Sequence, residues 1–209
     1  MEAVKIAEIV EFKKNKDRII REAGSSLVTY RKRVDRETKE LTAAEWEQLV
    51  REAAGYGKRY AMHLLEKRDY SRAGLVEKLR QEGYEGEIAE EVLAYLDGFH
   101  YLDDVRYAGN LIRSRKGGKS KREICAALKQ RGISEADAET AMQLFYQTEA
   151  EAEGAEEPPE WEAIRCQLRK YHVTEELVEG LDFEEKQRLA AKLYRKGFAS
   201  ENIKILLHF

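Results

Sequence analysis

From Thr42 to the end of the chain, apolar residues recur at three- and four-residue spacing, the period of helices that bury one face. A long helical stretch is predicted from Thr42 to about Arg68, opened by a capping box in which the Thr42 hydroxyl and the Glu45 carboxylate satisfy early amides. Gly55 and Gly57 are points at which it could break or kink. Ser71 opens a helix carrying Leu75 and Leu79 and closed by Gly83; the next holds Ile88, Val92, Leu93 and Leu96. Asp103 or Asp104 caps a helix that stops at Gly117-Gly118, Ser120 with Glu123 forms a second capping box, and Ser134 starts a further helix. Beyond Pro158-Pro159 the pattern predicts a helix from about Trp161, a turn near Thr174, a helix from Asp182 to Gly197, and a last helix capped by Ser200. Before Thr42 the pattern changes. Short β-favouring runs (Val4, Ile6, Ile9, Phe12; Ile19, Ile20; Leu27, Val28, Tyr30) are separated by the turn residues Lys14–Asp17 and Ala23–Ser26. They suggest a small hairpin or three-stranded sheet.

The helical pattern repeats. Segments starting at Ser71, Ser120 and Glu185 align without gaps, so that Leu75, Ile124 and Leu189 correspond, as do Leu79, Leu128 and Leu193, and the helix-ending Gly83, Gly132 and Gly197. The predicted fold is therefore all-α: three tandem three-helix repeats in an elongated, curved array, with a small N-terminal β segment. The expected divisions are residues 1–41 for that segment, 42–102 and 103–148 for the first two repeats, 149–160 for an acidic linker, and 161–209 for the third repeat. Such an array offers a long surface and no deep pocket, which favours binding over chemistry.

Charge sharpens this picture. The net charge of the 209 residues is only -3, which argues against nucleic-acid binding as the main activity. Its distribution is uneven: nine basic residues and one acid lie between Arg106 and Arg131, and seven glutamates with no basic residue lie between Glu149 and Glu162. The acidic stretch Glu149–Glu160 reads as a solvated helix end and linker. The two cysteines, Cys125 and Cys166, are far apart and read as reduced thiols of a cytoplasmic protein. No apolar run is long enough for a membrane span, and the N-terminus has no signal-peptide core.

The most conspicuous candidate is the basic turn of Arg113, Arg115, Lys116, Lys119, Lys121 and Arg122, which could meet phosphates or a partner's acidic surface. Gly118-Lys119-Ser120 resembles the end of a phosphate-binding loop, but Arg113 stands where that loop needs its first glycine, and a helix precedes it rather than a strand. Asp103-Asp104 suits helix capping better than a metal. His63, His100, His172 and His208 have no ligand spacing. The serines stand at caps, the tyrosines read as core edges, and Trp46 and Trp161 as packing anchors. No cofactor and no catalytic constellation is expected.

Three groups of residues carry a family resemblance: Leu64–Ser71, then Leu75, Lys78, Leu79 and Gly83, then Tyr101-Leu102-Asp103-Asp104-Val105-Arg106-Tyr107-Ala108. In this order, with the tripled helical unit, they resemble the bacterial RecX family over about Thr42 to Phe209. Leu102, Asp103, Asp104, Arg106 and Ala108 form the most specific part, and their expected role is structural. The acidic Pro158-Pro159 insertion departs from the family pattern. The resemblance implies tandem three-helix repeats that bind RecA and lodge along its filament on single-stranded DNA. It implies suppression of filament growth, ATP hydrolysis, strand exchange and coprotease activity. Apart from that resemblance, a monomer is expected, and weak binding to DNA alone would be unsurprising. A rival reading is a direct DNA-binding protein built from helix-turn-helix-like units.

Overall fold

The computed structural model describes residues 3–148 and 157–208 and resolves two compact units, divided between Asp103 and Asp104. The first unit opens with four strands, β1 (Val4–Lys13), β2 (Lys16–Arg21), β3 (Ser26–Tyr30) and β4 (Glu40–Leu41), in the spatial order β3-β2-β1-β4. All neighbours are antiparallel. The sheet has one strand more than the expected three, because Glu40 and Leu41, just ahead of the helix-capping Thr42, return to pair with Lys5 and Val4. Asn15, at φ 65°, turns β1 into β2, and Gly24, at φ 88°, turns β2 into β3. One face of the sheet carries Val4, Ile6, Ile19 and Leu27, all buried. On β2 the alternation also buries the Asp17 carboxylate, which accepts hydrogen bonds from Arg36 at 2.7 and 3.2 Å and lies 3.4 Å from Arg31 Nε.

Three helices complete this unit: α1 (Ala43–Lys67), α2 (Arg72–Gln81) and α3 (Glu87–Gly98). The α1 capping box forms as expected, Glu45 accepting from the Thr42 amide at 2.8 Å. Neither Gly55 nor Gly57 interrupts α1, which runs unbroken over the predicted stretch. Gly57 instead lets α1 approach α3 closely; a methyl there would lie 2.8 Å from Val92 Cγ2. Sheet and helices share one core, in which Ile19, Leu27, Trp46, Leu75, Leu79, Val92 and Leu96 are buried. The turn after α2 passes beneath the sheet: Gly83 has φ 87°, and a methyl on it would overlap Val28 and stand 2.9 Å from Phe12 Cε1. Lys13 and Lys16 both reach Glu82 beside this turn, at 2.7 and 3.5 Å.

The second unit contains α4 (Asp104–Arg115), α5 (Lys121–Gln130) and α6 (Glu135–Met142), the last running on as a π-helical turn over Gln143–Thr148. After the residues outside the described set come α7 (Pro159–Lys170), α8 (Glu175–Gly180), α9 (Phe183–Lys196) and α10 (Ser200–Leu207). Each of these two helical sets has its own core. Ala108, Ile112, Ile124, Leu128, Ala141 and Tyr146 fill one; Ile164, Leu168, Leu193, Phe198, Ile203 and Leu207 fill the other. The third set differs from the first two by the short helix α8 and by the length of α9, 14 residues against ten in α2 and in α5. The extra turn begins at Asp182, which forms a capping box with Glu185.

Two sequence expectations fail here for one reason. Ser200 does not cap α10: it is the first helical residue, and Ala199 occupies the cap without a side-chain bond. The missing acceptor comes from Glu160, whose carboxylate accepts from the Ala199 amide at 3.2 Å and from Asn202 Nδ2 at 2.7 Å. Glu160 is thus buried rather than a solvated linker residue. Trp161 Nε1 completes the group by donating to Asn202 Oδ1 at 3.0 Å. Glu157 pairs with Arg165, which also holds Glu175 in the first turn of α8. The rest of the expected acidic linker, residues 149–156, lies outside the described residues.

Candidate partner-binding surface

The basic turn joins α4 to α5. Helix α4 ends with Arg113 and Arg115 in its last turn, where positive side chains suit the negative end of the helix dipole. The chain then folds back through Gly117-Gly118, the amides of Gly118 and Lys119 both donating to the Arg115 carbonyl at 3.0 Å. Ser120 caps α5: its hydroxyl accepts from the Glu123 amide at 3.1 Å, and Glu123 accepts from the Ser120 amide at 3.2 Å. Lys119, Lys121 and Arg122 therefore cluster at the positive end of α5, where cations oppose the dipole. Among the described residues Glu123 offsets them, pairing with Lys119 at 2.8 Å. Burial, the largest influence on the Glu123 carboxyl, works to raise its pKa; the bonds from Lys119 and the Ser120 amide outweigh it and hold the group below the usual carboxylate range.

The six expected contact residues are brought together on this turn but are not equivalent. Arg113 lies over the Phe145 ring at 4.5 Å and donates to Asn110 Oδ1 at 2.9 Å. Arg115 and Lys116 are half-buried and Lys121 is exposed. No ion pair among the described residues engages Arg115 or Lys121. Arg122 is tied to the third helical set, its Nη2 donating to the Arg195 carbonyl at 2.6 Å. Around it runs a clasp invisible to sequence reasoning. Ser120 Oγ donates to the Lys196 carbonyl at 2.6 Å, Lys196 Nζ to Gln167 Oε1 at 2.6 Å, and Gln167 Nε2 to the Gly118 carbonyl at 2.5 Å. Gln167 is 1% exposed. The loop resembling a phosphate site thus spends its Gly118 carbonyl and Ser120 hydroxyl inside the protein. Only the pairing of Ser120 with Glu123 was legible, because the other partners lie 49 to 76 residues away.

The expected structural motif divides by position. Leu102 packs against the core of the first unit, and Ala108 is fully buried in the second. Asp103 precedes α4, Asp104 opens its first turn, and Arg106, in the same turn, is exposed. Next to Ala108, Gly109 allows the Phe145 ring to approach; a methyl there would stand 2.5 Å from Phe145 Cδ2. Of the four histidines, His100, His172 and His208 hold left-handed positions just beyond helix ends, a conformational role rather than ligation. Among the described residues no group of three or more His, Cys, Asp or Glu side chains could hold a metal ion. No described helix is long and apolar enough to cross a membrane.

Comparison with known proteins bears on this arrangement. Residues 58–96 match the model of the first three-helix domain of RecX, and residues 103–142 that of the second. The regulatory protein RecX of Mycobacterium sp. (strain KMS) is 33% identical over 142 residues, which cover 67% of this chain and 73% of the relative. The chain belongs to the RecX family. Further RecX relatives include those of Mycobacterium leprae, 32% identical over 144 residues (68% of this chain and 78% of the relative), and of Treponema pallidum, 36% identical over 93 residues (44% and 57%). A crystal structure of a regulatory protein RecX shares the fold, with a TM-score of 0.61 at 20% identity, covering 99% of this chain and all of that one. RecX from Lactobacillus salivarius does so at 0.58 and 19% identity, over 74% and 94%. In this chain a four-stranded sheet precedes the first helical set and shares that set's core.

Proposed function

We propose that the chain regulates RecA by binding the RecA filament on single-stranded DNA, lowering its recombinase, ATPase and coprotease activities. The observation that carries this reading is family membership, supported by matches that fall on the two helical sets themselves. In this reading the protein acts by contact and not by chemistry, as a cytoplasmic monomer without a cofactor. The helical sets at 42–102, 103–148 and 161–209 are its repeating units. The turn of Arg113, Arg115, Lys116, Lys119, Lys121 and Arg122 approaches acidic RecA surfaces or DNA phosphates. The concentration of cations at the positive end of α5 supports that placement, since a helix N-terminus and ammonium groups together favour an anionic partner.

The test is single-stranded-DNA-dependent ATP hydrolysis by RecA, with this protein titrated in at fixed salt. Hydrolysis is expected to fall at or below stoichiometric protein without equal loss of free DNA. The variant combining Arg115→Glu, Lys116→Glu, Lys119→Glu and Lys121→Glu should need about tenfold or more protein for the same inhibition, with its helical circular dichroism intact. Unchanged inhibition by that variant removes the basic turn from the mechanism. No inhibition by the parent protein, combined with tight and steeply salt-dependent DNA binding, makes direct DNA binding the function instead.

A further inference from the structure

Cys125 stands where two open cavities meet in the second unit. A groove of about 650 Å³ runs between α5 and α6, and a second cavity of about 620 Å³ lies toward α7 and α10; Cys125 and Lys121 line both. Lys121, Cys125 and Lys129 follow one another at four-residue spacing, so the thiol is flanked by an ammonium one turn to either side. Across the groove, α6 presents Glu135 and Glu139, and Ile133, Ala138 and Met142 complete its lining. Independently, the second cavity is lined by Tyr146, which is 5% exposed and whose hydroxyl has no hydrogen-bond partner among the described residues. A buried hydroxyl left unpaired costs free energy that a bound ligand's acceptor would recover. Burial, with lesser influences from Glu160 and Cys125, pushes this phenol up to about 12, so it is a donor at any ordinary pH.

We propose that Cys125 is a thiol-exchange site that takes up a zwitterionic, amino-acid-derived thiol, of the cysteine or glutathione class, as a mixed disulfide. The two walls select the charge pattern: ligand carboxylates face Lys121 and Lys129, and a ligand ammonium faces Glu135 and Glu139. The Cys125 sulfur gives its proton to water and attacks one sulfur of the incoming disulfide. A new S–S bond forms as the old one breaks, and the departing thiolate takes up a proton. One disulfide is consumed and one is made, so the small disulfide is the only oxidant required. Cys166 provides an internal control: it is also free and half-buried, but it lies beside Gly118 and Arg169 and lines neither cavity. The site is independent of the RecA reading, because its occupation is read by mass alone.

The experiment incubates the reduced full-length chain with oxidised glutathione and follows adducts by intact mass and peptide mapping. Cys125 should react about tenfold faster than Cys166. At Cys125, oxidised glutathione should outpace the uncharged bis(2-hydroxyethyl) disulfide by about threefold to tenfold, a preference lost in K121Q/K129Q. C166S should keep the adduct and C125S should lose the fast phase. Equal rates at the two cysteines, or a preference unaffected by K121Q/K129Q, would overturn the proposal.

Discussion

His172 shows how a single backbone angle fixes a residue's role. It holds φ 60° just after α7, where its amide donates to the Arg169 carbonyl and the next amide to that of Leu168. A side chain with a Cβ is strained there, whereas glycine is not. His172→Gly is therefore expected to stabilise the fold by about 1 kcal/mol, measured as a raised midpoint in urea; a lowered midpoint would mean that the imidazole makes contacts outweighing the strain. Glu123 illustrates the electrostatic counterpart. Its carboxyl is held below the ordinary value of 4.5, so the stability it contributes is full above that value and is lost as pH falls through the lower, folded one. Hydrogen exchange at the Ser120 amide should therefore accelerate relative to its intrinsic rate only in that acid range, and Glu123→Gln should remove the acid dependence.

At the scale of elements, neighbouring helices are held by polar groups reaching across from one to the next. Glu160 on α7 caps α10, replacing the serine cap that local pattern suggested. Glu160→Ala would strand the Ala199 amide and the Asn202 side chain and should cost about 1–3 kcal/mol in thermal or chemical unfolding, while Ser200→Ala should cost little. Gly197 closes α9 at φ 92°, and a methyl on it would overlap Arg122, with Arg122 Cβ only 2.8 Å away. Gly197→Ala combines left-handed strain with that collision. It is expected to destabilise by about 2 kcal/mol or more and to displace Arg122 from the Arg195 carbonyl, visible as broadened amide resonances across Ser120–Glu123. The periodic apolar positions placed α1, α2, α5 and α9 correctly because helix period and caps are local properties. The bonds that tie one helix to another were not legible, since no local spacing encodes a partner 39 or 76 residues away.

For the whole molecule, the division into two compact units has an experimental consequence. Each unit has apolar cores of its own, the first including the sheet and the second both later helical sets. Residues 104–209 expressed alone should fold cooperatively, with helical circular dichroism and a single unfolding transition, whereas removing residues 1–41 should destabilise α1–α3 by exposing Trp46, Leu75 and Leu79. A first set that stays equally stable without the sheet would contradict the shared core.

Sequence alone determined the helical character, the repeated units, the helix-ending glycines and the family, because all of these rest on residue spacing and local order. It also gathered the basic residues of the α4–α5 turn, since they are near neighbours in the chain. Tertiary structure alone decided what those residues do. It committed Arg122, Ser120 and Gly118 to a clasp with Gln167, Arg195 and Lys196, buried Glu160 as a cap, and set Cys125 against Tyr146 and two cavities. The reason is physical: a side chain's charge is written in its identity, but whether that charge faces water, a carbonyl or a partner depends on which distant segment packs beside it.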